Sequence, residues 1–245
     1  DVYKRQDLYQ INMLQTYWQK KVDHKRAVFE VYFRENPFQN GYAVFAGLER
    51  VIRYLNQFKF TQSDLDYLAS LDLYPDEFLD YLRDMKLELS VRSLVEGELC
   101  YANEPLMQVE GPLGQCQLVE TAILNIVNYQ TLIATKSARI RSVVGEEDQV
   151  SEFGARRAQE MDAALWGARA AYIGGFDSTS NVRAGKLFGI PITGTHAHSL
   201  VQAYRDEYKA FKAYAETHRD VVFLVDTYDT LRSGMPIAIQ VAKEM

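Results

Sequence analysis

Cysteine is nearly missing: Cys100 and Cys116 are the two thiols in 245 residues. Two thiols cannot build a disulfide framework or a four-thiolate zinc site, and a reduced pair in a cytosolic protein is the expectation. A basic excess is lacking as well. The formal charge of -6 has the wrong sign for neutralising a phosphate backbone, so no nucleic-acid partner is expected. No apolar run approaches the roughly 18 residues of a membrane span, because charges interrupt every hydrophobic segment, and no membrane partner is expected. The opening "DVYKRQ" has no apolar stretch behind its basic residues, so it is not expected to be a secretory signal. Residues 1–6 join abruptly to the patterned "DLYQINMLQTYW" and are set aside as a non-native scar. Histidine is also scarce, and two of the four sit one residue apart, at His196 and His198 in "TGTHAHSL".

What is present is ordinary for a soluble globular protein: 47% hydrophobic and 24% charged residues, in a length that suits one large or two smaller domains. The first half mixes patterns. "DLYQINMLQTYWQK" has helical apolar spacing, and "AVFEVYFR" alternates like a half-buried strand, with Ala27, Phe29, Val31 and Phe33 on one face. "GYAVFAGLERVIRYLNQF" reads as a helix throughout. Two short helices follow, opened by Ser63 as a cap and by Pro75 in the first turn. Short strands then run from "LELSVRSL" to "PLMQVEGP", and a long helical stretch covers "GQCQLVETAILNIVNYQTLIATKSARI".

The second half has a simpler rhythm. "VSEFG", "IGGF", "IPITGT" and "DVVFLVD" are each followed by a helical segment, giving four strand–helix units in under 100 residues. Apolar strands alternating with helices imply a parallel sheet covered on both faces. Polar residues cluster just past each expected strand: Arg156 and Arg157, then Asp177 to Asn181, then His196, His198 and Ser199, then Asp226 to Thr230. That is the edge on which parallel α/β folds build their sites.

Arg156 and Arg157 offer planar, permanently charged forks suited to phosphate or carboxylate. "STSN" opens a helix, so Thr179 and its neighbours could hold an anion, or Ser178 or Thr179 could simply cap that helix. Asp226 and Asp229 are acids at the same rim, suited to Mg²⁺ bridging protein and phosphate, to ribose hydroxyls, or to ordering a turn. The two histidines could be metal ligands completed by Asp226, a phosphoryl-accepting nucleophile with its neighbour, or structural side chains. Spacing alone leaves these open.

Six segments, "DLYQINMLQTYW", "FEVYFRENPF", "EFGARRAQ", "GGFDSTSNV", "GTHAHS" and "LVDTYDTLRSG", together and in this order, resemble nicotinate phosphoribosyltransferase. The resemblance covers essentially all of residues 7–245. It implies an N-terminal α+β domain (residues 7–135) followed by an incomplete (β/α) barrel of the type II phosphoribosyltransferase kind (residues 136–245). The implied reaction is ATP-coupled transfer of phosphoribosyl from phosphoribosyl pyrophosphate to nicotinate, giving nicotinate mononucleotide and pyrophosphate in NAD salvage. Mg²⁺ and ATP are the implied cofactor and co-substrate, and a cytoplasmic homodimer with shared active sites is the implied assembly.

By the same resemblance His198 is transiently phosphorylated, and His196 is a neighbour without that role. Phe153 would stack on one face of the pyridine ring, and Tyr9, supplied by the partner subunit, on the other. Arg156 would lie near the phosphates or the base, with Arg157 and Thr179 as phosphate ligands. Asp226 would contact ribose or magnesium, with Asp229 as the alternative magnesium ligand. Ser180 falls where the nicotinamide-using relative has an Asp; a hydroxyl suits nicotinate's carboxylate, which an Asp would repel. Family members continue with an "RxDSGD"-type segment and a glycine-rich loop that do not occur here. The chain is therefore expected to be an amino-terminal fragment without turnover by itself, with an exposed parallel edge and uncovered apolar residues. The alternatives are a nicotinamide phosphoribosyltransferase, a non-catalytic nicotinate- or phosphate-binding module, and a His/Asp metal-binding module.

Overall fold

Two groups of elements emerge along the chain, one ending at Ile190 and the other covering Pro191–Met245. The computed structural model describes residues 6–245. The scar reading of residues 1–6 thus lies outside the described residues except at Gln6, whose amide donates to the Tyr54 hydroxyl at 3.0 Å.

In the first unit, α1 (Leu8–Gln19) starts where Asp7 N–H donates to the Gln10 side chain at 3.1 Å, one arm of a capping box. β1 (Arg26–Val31) alternates as its sequence requires, with Val31 buried, Ala27 and Phe29 half-buried, and Arg26, Val28 and Glu30 exposed. It ends two residues before Phe33, which still packs against the core. The segment expected to be one helix from Gly41 is instead β2 (Ala43–Val44) followed by α2 (Leu48–Asn56). Two buried threonines of α6 (Glu120–Arg141) explain the difference. Thr135 Oγ1 accepts from Val44 N–H at 2.9 Å and Thr131 Oγ1 from Ala46 N–H at 3.2 Å, so these amides are drawn away from helical partners. Gly47, at φ 116°, then turns the chain; a Cβ there would meet Val127 Cα at 3.2 Å.

α3 (Gln62–Ser70) is capped by Thr61 rather than Ser63, with Thr61 N–H donating to Asp64 at 2.7 Å. α4 (Asp76–Asp84) has Pro75 at the cap position, one residue before the first turn. Leu65, Leu68, Phe78 and Leu82 of this pair close a core with Leu14 of α1. β3 (Ser90–Ser93) and β1 both flank β5 (Met107–Pro112) antiparallel, with Val91 and Phe29 each opposite Val109. β4 (Leu99–Cys100) pairs with β2. α5 (Leu113–Leu118) leads into α6, the two separated at Val119. Val31, Phe45, Val51, Val109, Ile123 and Val127 form the main core. Cys100 and Cys116 are free and buried in it, and burial pushes the Cys100 thiol up to about 11.

The parallel part of this unit is short. β6 (Ser151–Glu152) and β7 (Ser178–Thr179) pair in parallel, Ser151 opposite Ser178 and Glu152 opposite Thr179, across α7 (Glu160–Ile173). The strand expected at "IGGF" forms two residues later, because Gly174 and Gly175 are used in the turn that ends α7. α8 (Val182–Phe188) follows and packs Ala184 and Phe188 on Leu165 and Ala168 of α7.

The second unit is helical: α9 (His198–Tyr204), α10 (Glu207–Thr217) and α11 (Met235–Glu244), the last preceded by a π turn over Thr230–Gly234. The single helix expected across Ser199–His218 breaks at Arg205, in the left-handed region at φ 54°. Asp206 then caps α10 by accepting from Lys209 N–H at 3.0 Å. Val201, Phe211, Ala238 and Val241 form this unit's core. The strands expected in residues 190–195 and 220–226 are not formed; Ile192 makes one isolated bridge. A parallel strand exists only against hydrogen-bonded neighbours, and no ladder is present in this unit among the described residues. Val222, Leu231, Met235 and Ile239 stand exposed. The fold is mixed α/β.

Candidate active site

Residues expected at a site gather in two clusters, one in each unit. The first is built on the β6–β7 ladder. Glu152 ends β6; Phe153 follows, 46% exposed, and a 3₁₀ turn over Ala155–Arg157 carries Arg156 and Arg157 into solvent. Neither arginine has an ion-pair partner among the described residues, so both guanidinium forks are open to an anion. At the end of β7, Ser180 is exposed, and its N–H donates to the Glu152 carbonyl at 3.0 Å. This bond ties Ser180 to the residue next to Phe153. The ladder therefore delivers Phe153, Arg156, Arg157 and Ser180 past the same strand ends.

Thr179 is placed differently from its expected role. It is 1% exposed, and its O–H is spent on Glu152 Oε2 at 2.7 Å, while its oxygen accepts from Asn181 N–H at 3.1 Å. A phosphate needs a donor, and this hydroxyl has none left. Ser178 and Thr179 lie within β7 rather than after it, and the cap of α8 is Asn181, which accepts from Ala184 N–H at 3.1 Å.

The second cluster centres on His198, the first residue of α9. Its side chain is half exposed; Nδ1 lies 3.3 Å from the Thr227 hydroxyl and Nε2 lies 4.0 Å from Asp226 Oδ1. The second distance is a charge contact rather than a hydrogen bond. His196 is buried instead: Nε2 accepts from Leu224 N–H at 3.1 Å, and the ring lies against Phe211, Tyr214 and Phe223. A solvent-open imidazole facing a carboxylate and a hydroxyl can act as a nucleophile, whereas a walled one whose nitrogen already holds an amide cannot. Asp229 accepts from Leu231 N–H at 3.1 Å and Arg232 N–H at 2.9 Å through Oδ1, so it orders the turn into α11. Asp226 keeps an exposed carboxylate, the oxygen donor that a hard divalent cation takes together with substrate phosphates. Among the described residues no three His, Cys, Asp or Glu side chains converge on a metal position, so the His/Asp metal module lacks a ligand set.

Tyr9 lies on α1, 46% exposed, with its hydroxyl 3.3 Å from Thr121 Oγ1. It borders a cleft of about 420 Å³ lined also by Tyr32, Phe33 and Leu124. It makes no ring contact with Phe153 within the chain. Glu152 is the residue that sequence reasoning passed over, and Thr227, though placed in the cluster past the fourth expected strand, had no role assigned to it. The available signal for Glu152 was an acid at a strand end directly before the aromatic; the pairing of Thr227 with His198 had none, since it spans 29 positions.

A family model for the nicotinate phosphoribosyltransferase (NAPRTase) N-terminal domain matches residues 5–128, half of the chain. The chain belongs to the nicotinate phosphoribosyltransferase family. A nicotinate phosphoribosyltransferase of Bacillus subtilis (strain 168) is 67% identical over 238 residues, covering 97% of this chain and 48% of the relative. The crystal structure of human nicotinic acid phosphoribosyltransferase superposes with TM-score 0.87 at 35% identity, over 97% of this chain and 57% of that one. A nicotinate-nucleotide pyrophosphorylase from Pyrococcus furiosus superposes with TM-score 0.77 at 25% identity, over 98% and 54%. The chain thus spans about half the length of the nicotinate phosphoribosyltransferases it matches. No helix among the described residues is long and apolar enough to cross a membrane.

Proposed function

We propose that the protein carrying this chain transfers phosphoribosyl from phosphoribosyl pyrophosphate to nicotinate, coupled to ATP hydrolysis, in NAD salvage. The observation that carries the reading is the open imidazole of His198 beside Asp226 and Thr227, in a chain two-thirds identical to a nicotinate phosphoribosyltransferase. In the first step an imidazole nitrogen of His198 attacks the γ-phosphorus of ATP; the N–P bond forms, the bridging P–O bond breaks and ADP leaves. The Thr227 hydroxyl at Nδ1 and the Asp226 carboxylate near Nε2 orient the ring for that attack. In the transfer step the pyridine nitrogen of nicotinate bonds to the anomeric carbon as the bond to pyrophosphate breaks. Water then attacks the phosphorus on His198, the N–P bond breaks, and phosphate leaves with the imidazole restored. Phe153 supports the ring, Ser180 meets its carboxylate, and Arg156 and Arg157 take up charge on the phosphates.

Magnesium, where bound, would neutralise charge on the leaving pyrophosphate, with Asp226 as its protein ligand and Asp229 largely committed to its turn. Thr179 contributes by holding the loop. The exposed Tyr9 is read as the ring that a partner subunit contributes, which makes the active unit a homodimer. The reading places this enzyme in the cytoplasm, with an N-terminal α+β domain over residues 7–135 and the first part of a type II phosphoribosyltransferase barrel over residues 136–245.

Ser180 favours nicotinate over nicotinamide as the base, since a neutral hydroxyl accommodates a carboxylate. The test is phosphate incorporation from γ-labelled ATP into the full-length protein, alongside nicotinate mononucleotide formation. His198→Ala is expected to abolish incorporation and His196→Ala to retain it; the reverse pattern would overturn the assignment.

A further inference from the structure

Glu152 joins the two loops of the first cluster, and none of the chemistry above uses it. Both of its oxygens accept hydrogen bonds: Oε2 from the Thr179 hydroxyl at 2.7 Å and Oε1 from the Gly154 N–H. The Thr179 oxygen in turn accepts from Asn181 N–H at 3.1 Å, and Asn181 caps α8. The Glu152 carbonyl holds Ser180 N–H at 3.0 Å. One residue therefore fastens the turn after Phe153 to the segment on either side of Ser180.

We propose that Glu152, acting through Thr179, is a positioning residue that sets the spacing between Phe153 and Ser180 and so governs the fit of the pyridine carboxylate. It touches no substrate. The inference rests on the nicotinate reading given above. The chemistry of the link explains why an acid stands there. Thr179 O–H and Gly154 N–H are both donors, and a carboxylate accepts at both oxygens. An amide accepts at one oxygen and can turn its NH₂ only toward the Thr179 oxygen, which already accepts from Asn181 N–H. Glutamine therefore keeps the shape and replaces a charge-assisted bond by a weaker neutral one. The ladder is two residues long on each strand. Ser151 Oγ to Ser178 Oγ at 2.7 Å and Asp177 N–H to the Val150 carbonyl at 2.8 Å hold its near end, while the Glu152 contacts hold the end that carries Phe153 and Ser180.

The test measures steady-state kinetics of the full-length protein with nicotinate and phosphoribosyl pyrophosphate varied separately. Glu152→Gln and Thr179→Val are each expected to raise the nicotinate KM by about tenfold, with kcat and the KM for the sugar donor within about twofold. Thr179→Ser, which keeps the hydroxyl, is expected to restore the wild-type nicotinate KM. The double variant Glu152→Gln/Thr179→Val should be no worse than Thr179→Val alone, which removes the same link and also the acceptor of Asn181 N–H. An unchanged nicotinate KM in Glu152→Gln overturns the proposal. So does an equal rise in both KM values with a lowered Tm that Thr179→Ser fails to rescue. If Thr179→Val does not fold, Glu152→Gln and Thr179→Ser decide the matter, being the gentler changes. A wild-type protein that never turns over nicotinate refutes the parent reading, whereas an active wild type with an insensitive Glu152→Gln refutes this inference alone.

Discussion

Leu224 donates its backbone N–H to Nε2 of His196 at 3.1 Å, which fixes that ring inside the second unit. His198, two residues on, faces Thr227 and solvent. The pair thus divides into a buried, hydrogen-bonded imidazole and a solvent-open one. His196→Ala opens a hole among Phe211, Tyr214 and Phe223 and strands the Leu224 amide, so a loss of about 3 kcal/mol is expected. His198→Ala should cost less than about 1 kcal/mol. Denaturant unfolding of the two variants checks this; equal losses would contradict the division.

Ser180 is exposed beside the Phe153 loop. On the nicotinate reading, replacing it with Asp sets one carboxylate against that of the substrate. Ser180→Asp is expected to weaken nicotinate binding on the order of tenfold to a hundredfold while sparing nicotinamide. Competition between the two bases, measured on the full-length protein, provides the readout.

Glu96 is the acid with the clearest structural duty. Arg169 grips it through Nη1 at 2.9 Å and Nη2 at 2.6 Å, and Gly47 N–H donates to it at 2.6 Å. Burial pushes its carboxyl up, but these hydrogen bonds and the Arg169 charge outweigh that and hold it below the ordinary range. A depressed folded value means the stabilisation is complete above the unfolded pKa, near 4.3, and is lost as pH falls through the folded one. Glu96→Gln should lower stability by roughly 3 kcal/mol at pH 7. It should also flatten the acid limb of the stability–pH curve. A variant with an unaltered acid limb would show that another carboxylate dominates.

Gly234 ends the π turn where the Val225 carbonyl passes close by; a Cβ there would lie 1.8 Å from that oxygen. Gly234→Ala must therefore displace the backbone beside Asp226. A loss of about 3 kcal/mol is expected. In the full-length protein, phosphate incorporation at His198 should fall as well. Retained incorporation with a wild-type Tm would mean the turn yields freely.

Much of the helical structure was legible in the sequence. α1, α3, α4, α6 and α7 follow from apolar spacing, because a helix satisfies its hydrogen bonds within its own segment. The caps were less legible. Thr61 and Asn181 serve where Ser63 and Ser178 or Thr179 were equally plausible, since several small polar residues adjoin each start. The motifs carrying Phe153, Arg156, Ser180, His198 and Asp226 could be picked out in order along the chain, but Glu152 could not, because its meaning lies in two donors that only folding brings to it.

Alone, the sequence determined the presence of α1, α3, α4 and α7, the alternation of β1 and the family motifs, all properties written within a dozen or so consecutive residues. Tertiary structure decided the rest. The Gly41–Gly47 stretch became extended because Thr131 and Thr135, some 85 to 91 positions away, capture its amides. Segments 190–195 and 220–226 carry the apolar composition of strands without the ladder, since a strand is completed by neighbours and not by its own residues. His196 and His198 were indistinguishable by spacing; their different surroundings arise because Leu224 reaches one ring and Thr227 the other.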